Sequence, residues 1–291
     1  MPAATTPESR HGPIDRVWQG LRALRSAITV ALYTLLAPSG ILPYAIATWW
    51  WRHHPERLGR ALQWANVAGF RVALWWLRWF RVIHFDPQQT RLRLPDRPCV
   101  VIANHPTRID PFVVMTCLGG GCTLVKPAVF RRRLLRRFLT QALHFEGPSL
   151  DPASLAPVLD NAAARLQAGH HLFVFPEGTR SWERALRPFS RLPFEIACRT
   201  GVPLVSLGLR CEPYYLTRET PILRPPARLP RLTVAILAID DPAATGNDSR
   251  TLKEQVEARY RDWVASGMPP LAEPGAAAAP SNSTIRSPSG T

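Results

Sequence analysis

The sequence has no CxxC pair. Its five cysteines, Cys99, Cys117, Cys122, Cys198 and Cys211, are odd in number and scattered, which speaks against a disulfide framework or a zinc site and leaves buried thiols in a reducing compartment. The pairs His53-His54 and His170-His171 do not make a metal site either, since neighbours on a strand point to opposite faces, and no metal is expected. A GxSxG elbow is missing, which disfavours a serine hydrolase. There is no internal repeat. Acidic residues are scarce: 21 Asp+Glu stand against 36 Lys+Arg, and the net charge of +15 favours anionic partners such as membrane surfaces, nucleic acid or phosphorylated small molecules. A secretory signal is also lacking, because the uncharged run from Ala27 to Trp51 is too long for one and ends in Trp49-Trp50-Trp51.

That run has the length of a membrane span, but Pro38, Gly40 and Pro43 interrupt it. Two half-length helices that dip into one leaflet and return fit better, and they leave the flanking basic residues Arg22, Arg25, Arg52 and Arg57 on one side. From Arg60 to Arg81 the chain reads as one helix. Arg60, Arg71 and Arg78 lie eleven and eighteen positions apart and share a face, while Trp64, Trp75, Trp76 and Trp79 are suited to the headgroup level of a membrane. The alternative is an amphipathic helix packed on the core. The ends, 1–13 and 268–291, are rich in Pro, Ala, Ser and Gly and read as disordered.

Residues 14–86 are therefore assigned to membrane-docking helices and 87–267 to an α/β domain with a mostly parallel central sheet flanked by helices. Strands are expected at 99–103, 123–125, 171–175, 204–207 and 232–239. Helices are expected at 111–118, 129–139, 155–167, 191–199 and 252–264, the last with a capping box from Thr251 and Glu254.

Directly after the first core strand comes Asn104-His105-Pro106-Thr107-Arg108-Ile109-Asp110, an imidazole and a carboxylate five residues apart at a strand-to-helix junction, where open α/β sheets place their sites. A neutral imidazole takes the proton of an attacking hydroxyl, and a carboxylate on its other nitrogen fixes the tautomer and stabilises the imidazolium. The bland alternative is a structural His in a turn with Asp110 as helix N-cap. After a later strand, Phe175-Pro176-Glu177-Gly178-Thr179-Arg180-Ser181 puts a flexible Gly, a hydroxyl and a guanidinium in a loop suited to a phosphate. Its bland alternative is a turn with a Glu177–Arg180 surface ion pair.

Together the two segments resemble the glycerolipid acyltransferase family, which includes the 1-acylglycerol-3-phosphate acyltransferases: HPTRID matches its HxxxxD motif and FPEGTRS its EGTRS motif. The resemblance covers about Pro98 to Ile239. It implies transfer of a fatty acyl group from acyl-CoA or acyl-carrier protein, as co-substrate, to the hydroxyl of a lysophospholipid such as 1-acylglycerol-3-phosphate, with no metal, no other cofactor and no covalent enzyme intermediate. His105 is then the general base, Asp110 its partner, and Glu177, Gly178, Thr179 and Arg180 help bind the acceptor. The N-terminal helices correspond to a membrane-docking pair, and the implied location is the cytoplasmic face of the cell inner membrane. Gly201-Val202-Pro203-Leu204-Val205 looks like the family's proline motif, which helps shape the acyl site.

Two departures stand out. No arginine follows Phe145 where many members carry one against the acceptor phosphate, and Leu192 replaces a glycine after a basic residue, which would narrow the acceptor space or cover it differently. Both keep open an acyltransferase of the same fold acting on a specialised lipid or pigment intermediate without a phosphate head group. The basic run from Arg131 to Arg137 suits anionic headgroups, coenzyme A phosphates or an acidic carrier, or else is a solvated helix face. A nucleic-acid-binding module explains the charge but neither the tryptophans nor the two loops, so no nucleic-acid partner is expected. A membrane-anchored scaffold would leave His105 without a task.

Overall fold

A computed structural model describes residues 13–36, 41–181 and 185–268. The ends expected to be disordered lie outside these apart from Pro13 and Met268, as do Pro38 and Gly40. Three helices lead the chain: α1 (Pro13–Leu36), α2 (Ile41–Trp50) and α3 (Pro55–Trp79). The domain follows as β1 (His84–Phe85), β2 (Val100–Ala103), α4 (Asp110–Leu118), β3 (Cys122–Val125), α5 (Pro127–Phe130), α6 (Arg133–Gln141), β4 (Phe145–Glu146), α7 (Leu155–Gln167), β5 (Leu172–Val174), α8 (Leu192–Thr200), β6 (Leu204–Glu212), β7 (Arg231–Asp240) and α9 (Ser249–Ala265).

The strands form one seven-stranded sheet in the order β1-β7-β6-β2-β5-β3-β4. Every pairing is parallel except β6–β7, so the sheet is mixed. The expected strand 204–207 continues to Glu212 and returns as β7, which is why the edge beyond it turns antiparallel. Two-residue strands β1 and β4 are too short to show a period of two and were not legible.

Strand alternation divides the core. Val101, Ala103, Phe173, Val205 and Leu207 face one side with Leu74 and Leu77 of α3 and Val113 and Val114 of α4. Val100, Ile102, Leu172 and Leu204 face the other with Val158 of α7, Phe194 of α8 and Val256 and Tyr260 of α9. All four residues of β2 are buried, the continuous apolar run of a parallel strand covered on both faces.

Several expectations change. The helix expected at 129–139 is two, α5 and α6, separated at residues 131–132. The last helix is capped by Asp248, whose carboxylate accepts the N–H groups of Arg250 and Thr251, while Glu254 pairs with Arg250, so no capping box forms. The division at 86/87 cuts through the fold: β1 pairs with β7, and α3 packs on α4 with Phe70 stacked on Phe112 at 4.6 Å.

Helix α3 packs on the core along one side and is exposed along the other. Leu58, Leu62, Leu74 and Leu77 are buried, while Arg60, Arg71 and Arg78 are exposed beside Trp64 (72% exposed), Trp75 (55%) and Trp79 (69%). Trp76 departs from its group, for its indole N–H donates to the Thr29 carbonyl at 3.1 Å and ties α1 to α3. On α1 an exposed apolar stripe runs through Val17, Leu21, Leu24, Ile28, Leu32 and Leu35, and α2 exposes Leu42, Ile46, Trp49 and Trp50. Among the described residues no helix is long and apolar enough to cross a membrane.

Candidate active site

Neighbouring strands β2 and β5 send their chains to opposite faces of the sheet, β2 to α4 and β5 to α8. Such a divergence opens a crevice at the carboxyl ends of parallel strands. His105 follows β2 and Glu177 follows β5, so the two sequence motifs, 72 residues apart, meet there.

The imidazole is set from three sides. Its Nδ1–H donates to Asp110 Oδ2 at 2.8 Å, its ring stacks on Phe175 with centroids 4.1 Å apart, and its side chain is 15% exposed while that of Asp110 is fully buried. Asp110 is not the N-cap of α4 but its first residue, and it also accepts from the Thr107 N–H at 2.6 Å and from the Thr107 hydroxyl. Burial pushes the Asp110 carboxyl up, and the hydrogen bonds from His105 and Thr107 pull against it. With Nδ1 protonated toward the carboxylate, Nε2 carries the lone pair.

The second loop braces the first. The backbone N–H of His105 donates to Glu177 Oε1 and Ser181 Oγ, both at 3.1 Å, and its carbonyl accepts the Ser181 N–H at 2.8 Å. Ser181 Oγ–H donates to Glu177 Oε1 at 2.5 Å, and Glu177 Oε2 accepts the Arg187 N–H at 2.8 Å. Glu177 is buried, which raises its pKa against these hydrogen bonds, and its carboxylate is engaged by protein donors; no ion pair with Arg180 forms. Gly178 turns the loop at φ 65, a backbone that favours glycine, with Thr179 half-exposed beside it. Arg180 reaches outward, and its Nη1 donates to the Thr217 carbonyl at 2.8 Å.

Two supporting residues were not read from the sequence. Asn104 is buried, and its side chain exchanges hydrogen bonds with the backbone of Leu209 at 2.7 and 2.8 Å, extending the β2–β6 ladder by one step. Tyr260 of α9 donates to the Leu207 carbonyl at 2.8 Å from within the core. An Asn directly before the His was a usable signal; helical spacing puts Tyr260 on one face with Leu252, Val256 and Trp263, but nothing local marks the carbonyl it reaches.

The departures also find their places. Leu192 packs against the cluster of Phe194 and Val256, on the other face of the sheet from the cluster that holds Val113 and Phe173. The Gly201–Val205 segment is the turn from α8 into β6. It sits at the amino ends of the central strands, opposite the His105 crevice, where the Val100 N–H donates to the Pro203 carbonyl at 2.9 Å. After Phe145, Glu146 accepts from Arg131 Nε at 2.9 Å beside a cavity of about 450 Å³ that Arg136, His144 and Arg165 also line. Arg131 and Arg136 of the basic run thus meet a concave surface. Among the described residues no group of three His, Cys, Asp or Glu is placed to hold a metal.

The Acyltransferase family model matches residues 83–210. The chloroplastic 1-acyl-sn-glycerol-3-phosphate acyltransferase BAT2 of Brassica napus is 30% identical over 114 residues, 39% of this chain and 33% of that protein. The 1-acyl-sn-glycerol-3-phosphate acyltransferase alpha of Homo sapiens is 25% identical over 161 residues, 53% of this chain and 56% of that one. The chain thus spans about a third to a little over half the length of these relatives. In fold it is similar to the 1-acyl-sn-glycerophosphate acyltransferase PlsC of Thermotoga maritima, with a TM-score of 0.58 at 17% identity over 84% of this chain and 98% of that one. Residues 83–210, which hold both loops and the strands that carry them, match the Acyltransferase family model and are similar to these 1-acyl-sn-glycerol-3-phosphate acyltransferases.

Proposed function

We propose that the protein is an O-acyltransferase that moves a fatty acyl group from acyl-CoA or acyl-carrier protein to the hydroxyl of a lysophospholipid such as 1-acylglycerol-3-phosphate. The observation that carries this reading is the His105–Asp110 pair in the strand crevice, with His105 held at backbone and ring; in this reading Nε2 is the base. The acceptor O–H gives its proton to Nε2 as its oxygen attacks the thioester carbonyl. Asp110 stabilises the imidazolium. The tetrahedral intermediate then expels the thiolate as the C–S bond breaks, and the imidazolium returns the proton to sulfur. In this reading Arg180 holds the acceptor phosphate by charge-assisted hydrogen bonds.

The exposed stripes of α1, α2 and α3 support docking on one membrane leaflet, with Arg60, Arg71 and Arg78 toward lipid phosphates, at the cytoplasmic face of the inner membrane. A second reading, an acceptor without a phosphate head group, is favoured by Glu146 and its ion pair with Arg131.

The test is acyl transfer from labelled acyl-CoA to lysophosphatidate by the wild type and His105→Ala. Loss of the positioned base should cost ~10²–10⁴-fold in rate while the protein keeps its unfolding midpoint. Near wild-type turnover in His105→Ala would sink the mechanism.

A further inference from the structure

Beside His105 the loop between β6 and β7 presents a short strap to both catalytic segments. The Arg108 N–H donates to the Leu216 carbonyl at 3.0 Å, and Arg180 Nη1 donates to the next carbonyl, that of Thr217, at 2.8 Å. Arg218 follows directly. The strap is specifically shaped: Leu216 holds a left-handed backbone at φ 57, and Thr217 Oγ1 accepts the N–H groups of Glu219 and Thr220. Strain of this kind in a non-glycine residue marks positions that the surrounding structure is built to hold.

Three guanidinium side chains therefore start from one small patch at the mouth of the crevice. Arg108 and Arg218 are exposed, and among the described residues neither side chain has a hydrogen bond or an ion pair. Both charges bear on Arg180: burial lowers its pKa first, and Arg108 and Arg218 lower it further, against the pull of Glu219 and the buried Asp110. Asp110 is committed to His105 and Thr107, so the patch keeps an excess of positive charge. Three guanidinium groups beside a single exposed carboxylate, Glu219, are best relieved by an incoming anion, and guanidinium forks match phosphate oxygens in pairs.

We propose that Arg108 and Arg218 form, with Arg180, a three-guanidinium clamp at the mouth of the His105 site that holds a dianionic phosphate of a substrate. The clamp rests on the acyl-transfer reading only for whose phosphate it holds, that of the acceptor headgroup or those of the coenzyme A donor.

The test uses Arg108→Ala, Arg218→Ala, the double variant and the two Lys variants, as full-length protein in detergent. One kinetic arm compares lysophosphatidate with monoacylglycerol as acceptor, the other acyl-CoA with acyl-pantetheine as donor. Each Ala variant should raise KM for one phosphorylated substrate about tenfold, and the double variant about a hundredfold, with kcat within about threefold, the phosphate-free analogue unaffected and partial recovery by Lys. A binding arm titrates glycerol 3-phosphate and adenosine 3′,5′-bisphosphate into wild type and double variant without turnover. If the wild type transfers no acyl group but binds one of these and the double variant does not, the clamp stands and the acyl-transfer reading falls. If transfer proceeds and the double variant leaves every KM and both titrations unchanged, the clamp is overturned and the acyl-transfer reading stands.

Discussion

The His105 crevice and the N-terminal helices depart from ordinary protein architecture in opposite directions. In the crevice, polar groups are buried: Asn104, Thr107, Asp110, Glu177 and Ser181 sit beneath the surface, tied by hydrogen bonds to one another and to backbone. On α1, α2 and α3, large apolar side chains are exposed in continuous stripes. Buried polar groups are tolerated when every one is paired, and they then rigidify what they surround. A contiguous exposed apolar surface marks a place where something else provides the burial. One region is thus satisfied by its own hydrogen bonds, and the other leaves apolar surface exposed among the described residues.

The comparison breaks most sharply at Asp110. Asp110→Asn keeps the shape but removes the charge that stabilises the imidazolium and turns an amide toward the Thr107 N–H; kcat should fall ~10³–10⁴-fold. A loss below tenfold in steady-state assays would make the buried carboxylate a structural cap.

His144 is a buried polar side chain outside the crevice, and it tests whether completeness is confined to the site. Its Nδ1 accepts the Thr123 N–H at 3.2 Å, and burial, aided by the Arg165 charge, lowers its pKa to about 4. The folded value lies below the free value of 6.5, so between pH 6.5 and 4 the unfolded chain binds a proton that the folded chain refuses. Stability from this group is therefore full above pH 6.5 and declines by about 3 kcal/mol as the pH falls toward 4. Denaturant unfolding at pH 7.5 and pH 4.5 should show that extra decline in the wild type and not in His144→Gln.

Glu177 sharpens the division between holding and touching. Because its carboxylate accepts from His105, Ser181 and Arg187, Glu177→Gln should lower kcat by roughly ten- to a hundredfold, the cost of one or two hydrogen bonds to a charged group, with the acceptor KM unchanged. A rise confined to KM would place Glu177 on the acceptor.

On the exposed side, replacing Trp64, Trp75 and Trp79 together by Ser should weaken binding to anionic vesicles at least tenfold, since partial burial of three large rings exceeds the ~1.4 kcal/mol that separates tenfold affinities. The unfolding midpoint should hold, because these rings lie outside the core. Equal flotation of variant and wild type would assign the apolar surface to another protein.

The sequence by itself determined what spacing along the chain encodes. An apolar run followed by HPTRID, and another followed by FPEGTRS, gave the strand-to-loop junctions, the His105–Asp110 pair and the α/β class, because residues five apart across one turn meet by local geometry. Helix 155–167 was legible to the residue for the same reason. The tertiary structure decided whatever depends on register between distant strands. Glu177 reaches the His105 backbone across 72 residues, Asn104 reaches Leu209 across 105, and Tyr260 reaches the Ile102 carbonyl across 158; no periodicity carries those distances. It also sorted neighbours of one composition: adjacent Trp75 and Trp76 differ only in which side of α3 meets α1, so one remains exposed and the other donates to Thr29. Local spacing fixes which atoms can meet within a turn, whereas long-range hydrogen bonds and burial are fixed only when the sheet closes and the helices settle on its faces.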